Sequence, residues 1–176
     1  GFLAASYDSI AGDSLQMTAY LNIGEKYKLE YLGKGNVEEE ILRWAGYKFR
    51  YYDEEIPYNH KRISRMLNKI LTYCENNGYP FASVKLDSIQ IRGQKITASL
   101  KLEKNNRIII DSIIVKGDSR IHISYLQQYL AIKPGAPYDE SKIRKVGDKL
   151  KELPFASVLK PFEVVFDPDK ATLLLY

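Results

Sequence analysis

Few residues in this chain have the type and spacing that catalysis requires. The two histidines, His60 and His122, have no serine or cysteine partner at a meaningful distance along the sequence. No phosphate-binding loop, Gly-x-Ser-x-Gly elbow or zinc-ligand spacing is present. Gly33 and Gly35 belong to a predicted turn and not to a nucleotide-binding fingerprint, because no strand–helix–strand unit surrounds them. We therefore expect no enzymatic activity and no cofactor.

Two further candidates for chemistry have simpler structural explanations. Cys74 is the single cysteine, which excludes an internal disulfide, and it falls on an apolar helical stripe that predicts burial. The three glutamates at residues 38–40 could be imagined as metal ligands. They occupy the first turn of a predicted helix, however, where the helix dipole favours acidic side chains in solvent. We expect no metal site.

Composition limits the remaining classes of function. The 176 residues are 45% hydrophobic and 27% charged, as in a globular protein, and no apolar run approaches the ~20 residues of a membrane-spanning helix. The net charge of +4 comes from basic residues that are mostly interspersed with acids. This charge favours solubility and gives little support to nucleic-acid binding.

An internal repeat organises the sequence. The segment Tyr-Pro-Phe-Ala-Ser-Val at residues 79–84 recurs as Leu-Pro-Phe-Ala-Ser-Val at residues 153–158. Pro-Tyr-Asn at residues 57–59 recurs as Pro-Tyr-Asp at residues 137–139, and Gly35-Asn36 recurs as Gly117-Asp118. A weaker third version of the first segment opens the chain at residues 1–6. Landmarks in the same order and at nearly the same spacing indicate tandem copies of one small domain.

Hydrophobic periodicity predicts the first strand and the two helices of each copy. Alternating apolar residues predict a strand at residues 27–31, and a short, strongly apolar, β-branched run predicts one at residues 108–115. Asn36 is the predicted N-cap of the first helix, with Glu39 completing a capping box. Gly78 is the predicted left-handed cap that ends the second helix. The second helix has one apolar face, which consists of Ile63, Met66, Leu67, Ile70, Leu71 and Cys74. In the second copy a thinner stripe follows the predicted cap Asp139.

Two strands complete each copy. In the first copy the apolar alternation slips across Asp87-Ser88, which predicts a β-bulge, and a regular strand follows at residues 96–102. In the second copy the corresponding strands are predicted at residues 156–166 and from Ala171 to the chain end.

The predicted fold class is α+β, with tandem β-α-α-β-β domains. Each domain is a three-stranded mixed sheet covered on one face by two helices. The predicted boundaries are residues 1–24 for the C-terminal hairpin of an incomplete unit, 25–104 for a first domain and 105–176 for a second domain with a truncated last strand.

These landmarks resemble those of POTRA (polypeptide-transport-associated) domains, which precede the outer-membrane barrel in BamA/TamA-like assembly proteins of the surface antigen family. The resemblance rests on the glycine after the first strand, on the Pro-Gly-x-x-Tyr-Asp segment at residues 134–139 and on Gly-Tyr-Pro-Phe at residues 78–81. The first copy departs from the pattern at residues 50–56, where a longer loop replaces the Pro-Gly turn.

The resemblance implies a periplasmic scaffold of a bacterial outer-membrane protein. Its partners would be unfolded outer-membrane protein clients or periplasmic accessory proteins, together with a C-terminal β-barrel outside this sequence. It implies no nucleic-acid ligand.

The resemblance also places the strand after the second helix at a sheet edge. Such an edge can bind an extended polypeptide by β-augmentation, because its outer backbone groups are unpaired. We expect the first copy to provide the better edge, because Pro161 removes a donor from the second. Lys85 and Asp87 could equally protect the edge against uncontrolled pairing. The predicted peptide-binding residues are Ser83, Val84, Lys85, Leu86, Asp87, Ser88 and Ile89.

Two other classes of function remain open from the sequence. The same module occurs in cell-division and two-partner-secretion proteins, which the sequences flanking this chain would distinguish. An unrelated α/β nucleic-acid-binding module is the third alternative, and a binding measurement at physiological salt would test it.

Overall fold

A computed structural model of the chain describes residues 2, 5–12, 16–47, 56–117, 121–154 and 157–176. The chain divides into two compact units. The first comprises Gly1–Ile70 and Val84–Leu102, and the second comprises Leu71–Ser83 and Glu103–Tyr176. Several predicted features fall partly outside the described residues, namely the opening repeat at residues 1–6, the turn at Asp13, the long loop at residues 50–56, Asp118, and the repeat at residues 153–158.

The first unit begins with an antiparallel hairpin of strands β1 (Ser6–Gly12) and β2 (Met17–Asn22). Every residue of both strands is exposed. Tyr7 pairs with Leu21, and the register shifts between Tyr7 and Ser9. That this hairpin ends an incomplete upstream unit stays a prediction.

The remainder of the first unit builds a mixed sheet with two helices. Its elements are β3 (Lys28–Gly33), α1 (Glu39–Ala45), β4 (Ile56–Pro57), α2 (His60–Asn76), β5 (Ser83–Arg92) and β6 (Lys95–Glu103). The last six residues of α2, the first residue of β5 and the last residue of β6 are in the second unit. The strand order is β4-β3-β6-β5, with β3 parallel to β6 and antiparallel to β4. The two-residue strand β4 is an addition to the three strands that were predicted.

The second unit repeats this plan. Its elements are β7 (Ile109–Val115), α3 (Ile123–Leu130), α4 (Glu140–Ile143), α5 (Val146–Lys151), β8 (Glu163–Phe166) and β9 (Lys170–Leu175). The strand order is β7-β9-β8, with β7 parallel to β9 and β8 antiparallel to it. The predicted α+β class with mixed sheets is therefore confirmed.

Burial follows the predicted periodicities. In β6 every second side chain is buried, and in α2 Ile63, Ile70 and Cys74 are buried. The core of the second unit consists of Ile108, Ile110, Ile113, Leu126, Leu130, Ile132, Tyr138, Ile143, Val146, Leu150, Leu153, Ala171, Leu173 and Leu175. None of the helices within the described residues is both long and apolar enough to cross a bilayer.

Two predicted helix caps are confirmed. Gly78 has a left-handed backbone with φ 95°, and the adjacent Tyr79 N–H donates to Cys74 O over 2.9 Å. The Asp139 side chain accepts a hydrogen bond from the Ser141 N–H at 3.0 Å.

The predicted capping box at Asn36 is wrong. The residue that precedes α1 as N-cap is Glu38, and its side chain makes no capping hydrogen bond. The Asn36 amide instead bonds the backbone of β6, donating to Leu102 O over 2.7 Å and accepting from Leu102 N over 2.8 Å. The backbone of a residue distant in sequence thus satisfies both the donor and the acceptor of the Asn36 amide, which was expected to cap its own helix.

Two elements of the second unit are shorter than predicted. The second helix is divided into α4 and α5 by a turn at Arg144 and Lys145. The strand expected at residues 156–166 comprises only Glu163–Phe166 among the described residues. Pro161 lies two residues before this strand, and its missing N–H is consistent with a late start to regular pairing.

Candidate peptide-binding edge

Strand β5 is an outermost strand of the first sheet. In the order β4-β3-β6-β5, the described strands place only β6 beside it. Backbone N–H and C=O groups of a strand point alternately to its two sides, so every second residue of β5 directs its groups away from β6. All seven predicted binding residues lie on this strand, which continues beyond them to Arg92. The geometry supplies the row of outward backbone groups that β-augmentation needs.

An irregularity divides β5 where the sequence pattern slips. Ser88 has a left-handed backbone with φ 52°, which is unusual for a residue other than glycine. The carbonyl of the preceding Asp87 accepts a hydrogen bond from Ser99 Oγ on β6 at 3.3 Å. A β-bulge, which the sequence predicts at this point, would add one residue to β5 and return the following residues to the earlier face.

The two halves of β5 differ in how well their apolar side chains are covered. Val84 and Leu86 are half-buried, whereas Ile89 and Ile91 remain 55% and 56% exposed. Lys85 and Asp87 are exposed between them. The C-terminal half of the edge therefore combines outward backbone groups with two uncovered isoleucines, which an alternating apolar segment could cover.

The opposite edge of the first sheet is covered by the chain itself. Pro57 of β4 pairs with Lys28 of β3, and Tyr58 N–H donates to Tyr27 O over 3.0 Å. The second unit repeats the arrangement through a bridge between Pro137 and Ile109. In the sequence, the repeated Pro-Tyr pair indicated only an entry to the second helix. Its repetition was the available signal for this edge cover.

The corresponding edge of the second unit is shorter and carries a charged cluster. Strand β8 has four residues, and Glu163 at its start bonds Lys160 Nζ at 3.0 Å and the Tyr176 hydroxyl at 2.9 Å. These two hydrogen bonds hold the pKa of the Glu163 carboxyl below its ordinary value. A short strand with charges at its start is a typical way to discourage edge pairing.

The other candidates for chemistry stay separated in the structure. His60 is the first residue of α2, and His122 precedes α3. Cys74 is buried within its helix, as the apolar stripe predicted. Among the described residues, no group of three or more histidine, cysteine or acidic side chains could hold a metal ion.

A family model supports the resemblance seen in the repeat. Residues 108–173 match the POTRA family, described as "Surface antigen variable number repeat". The match covers the second unit from its first strand into its last. No curated protein matches the chain in sequence.

Solved structures with the same fold extend the likeness to the first unit. POTRA domains 3–5 of BamA from Haemophilus influenzae are 15% identical with a TM-score of 0.63, and the match covers 99% of this chain and 73% of that one. BamA from Haemophilus ducreyi, in a form lacking POTRA domains 1–3, is 14% identical with a TM-score of 0.61. That match covers 84% of this chain and 28% of the Haemophilus ducreyi chain. At such identities the likeness establishes the fold alone.

Proposed function

We propose that this chain, in which residues 108–173 form a POTRA domain, is a periplasmic polypeptide-binding scaffold of an outer-membrane protein assembly or translocation factor. The family match and the shared fold with BamA support this role. The partners would be unfolded outer-membrane clients or periplasmic accessory proteins, with a membrane β-barrel elsewhere in the same protein. We expect no catalytic step.

The observation on which the proposal depends is the edge position of β5. An extended client would lie beside Ser83–Arg92 and pair its backbone with the outward groups of that strand. Backbone pairing makes little demand on client sequence, which suits a scaffold that receives many clients. The exposed Ile89 and Ile91 would add contacts with alternate client side chains.

Amide hydrogen exchange of the whole chain tests this mechanism. An eight-residue peptide with alternating apolar and polar residues should slow exchange at alternate amides of β5, with a change of phase at Ser88, because only the outward amides gain a partner. A peptide N-methylated at alternate positions is the control, since it lacks the donors for pairing. The proposal fails if the peptide perturbs amides elsewhere and leaves residues 83–91 unchanged.

A pair of variants separates the two candidate edges. Covering the exposed parts of two isoleucines is worth on the order of 1–2 kcal/mol, so I89S/I91S should weaken peptide binding roughly tenfold. Val165 of β8 is also exposed, at 45%, and V165S is the matched control that should leave the affinity unchanged. The reverse result would place the binding edge in the second unit.

A further inference from the structure

An open cleft of about 320 Å³ lies in the first unit, away from the β5 edge. Leu29 and Leu32 of β3 line it together with Ala45 at the end of α1. Ile63 and Met66 of α2 complete a wall that is mostly apolar. Clefts of this size and character are the ordinary form of small-molecule sites.

Positively charged side chains of α2 line one side of the cleft. Arg62, Arg65 and Lys69 of α2 line it at spacings of three and four residues, which places them along one side of the helix. Lys69 Nζ lies 3.9 Å from the position that a Cβ on Gly46 would occupy, so the ammonium group reaches the end of α1. No acidic side chain is among the described residues that line the cleft.

The second unit provides an internal comparison. The equivalent position there, lined by Ile110, Pro137, Asp139 and Ile143 among others, encloses only about 10 Å³. Because the same fold closes this space in one copy, the fold does not require the open cleft of the other. The charged residues that line the two spaces differ as well.

The difference in charge lies at the cap of the second helix. Asp139 forms an ion pair with Lys142 at 3.3 Å, whereas the corresponding residue of the first unit is the neutral Asn59. Among the described residues that line these spaces, the first copy thus has the larger volume, one acid fewer and one cation more.

We infer that this cleft binds a medium-chain fatty carboxylate. At about 30 Å³ for a water-sized group, the cleft has room for on the order of ten methylene-sized groups. Burial of the chain against Leu29 and Met66, which are only half-buried, would provide the hydrophobic contribution. The carboxylate would lie at the mouth, beside Arg65 and Lys69, where charge-assisted hydrogen bonds can form.

Titration of the isotope-labelled whole chain with decanoate tests the inference by NMR. The expected result is a saturable shift of the amides of Leu29, Ala45, Ile63 and Met66, with uncharged 1-decanol binding roughly tenfold more weakly for lack of the ion pair. Equal binding of decanol would overturn the assignment of an anionic ligand. The absence of saturable shifts in the cleft would overturn the site itself.

Charge variants with a matched control sharpen the test. R65Q/K69Q should weaken decanoate binding about tenfold. K26Q/K61Q removes the same net charge from exposed positions outside both the cleft and the β5 edge and should leave the affinity for decanoate unchanged. Equal loss in both variants would reduce the effect to net charge and overturn the inference.

Two further measurements address the occupant of the cleft. M66W fills the apolar wall and should abolish binding while the protein still unfolds cooperatively. If this variant does not fold, the two charge-neutralising double variants still test whether the cleft binds decanoate. Phosphatidylglycerol vesicles provide the last comparison, because shifts at these amides with vesicles but not with soluble decanoate would make the ligand a bilayer lipid and contradict the inference.

Discussion

At Gly35 the chain passes so close to a neighbouring strand that no side chain fits. Its backbone is left-handed with φ 56°, and a Cβ would lie 1.6 Å from the carbonyl oxygen of Leu100. The next residue, Asn36, bonds both backbone groups of Leu102. Together the two residues fix the loop between β3 and α1 against β6. Its counterpart Gly117 in the second copy shares the left-handed backbone, with φ 98°, but has no atom within 4 Å of its Cβ position, so only the first copy has the close approach.

The substitution G35A should lower the free energy of unfolding of the first unit by at least about 2–3 kcal/mol, because backbone strain adds to a steric overlap that only a backbone shift relieves. Trp44, the single tryptophan, lies in α1 and reports this unit by fluorescence during urea unfolding. G93A is the matched control, since Gly93 has φ 58° but no atom lies within 4 Å of the position that a Cβ would occupy there. The G93A substitution should lower the free energy of unfolding by only about 1–2 kcal/mol. Equal losses in the two variants would refute the steric explanation.

Among the elements, β5 shows how a local irregularity shapes an edge. The left-handed Ser88 interrupts the strand between its half-buried start and its exposed end. Bulges of this kind bend a strand and are common at sheet edges. A partner that pairs along the whole of β5 would therefore meet a change of backbone phase at Ser88.

Substitutions at residue 88 test whether β5 requires the left-handed backbone there. S88V should destabilise the first unit by about 1–2 kcal/mol, because a β-branched side chain is strongly disfavoured in the left-handed region. S88G keeps the bulge accessible and should change the unfolding free energy by less than about 1 kcal/mol. Chemical denaturation of both variants gives the comparison. If valine is tolerated as well as glycine, the strand does not need the left-handed residue.

At the scale of the whole molecule, the second unit includes more than its own repeat. Leu71–Ser83 belongs to it together with Glu103–Tyr176. Ile108 N–H donates to Gly78 O over 2.7 Å, and Asn105 Nδ2 donates to Phe81 O over 2.6 Å. The Phe81 ring also packs edge-on against Phe166, with centroids 4.9 Å apart. The boundary predicted at residues 104 and 105 separates these partners.

Fragments that begin on either side of this segment test where the folding unit starts. A fragment of residues 71–176 should be more stable than one of residues 105–176 by about 2–3 kcal/mol, from two hydrogen bonds and one aromatic pair. Urea unfolding followed by circular dichroism provides the measurement. F81A in the longer fragment should remove about 1 kcal/mol of that difference. Equal stability of the two fragments would support the boundary predicted from the repeat.

The sequence alone determined the repeat, the helix faces and the order of helices and strands along the chain in each copy. These features depend on local periodicity, which is visible in residues such as Ile63, Ile70 and Cys74 because one face of each element must be buried. The position of the irregularity at Ser88 was accessible for the same reason, since a change of phase is itself a local signal, and the left-handed backbone lies where the phase slips.

Only the tertiary structure decided which distant groups meet. Asn36 could have capped its own helix, but the backbone of Leu102 lies within reach and satisfies both ends of its amide. The cover over β3 by Pro57 and the cleft between α1 and α2 likewise depend on how elements pack rather than on local preference. Periodicity specifies which face of an element is buried, and packing decides what lies against it.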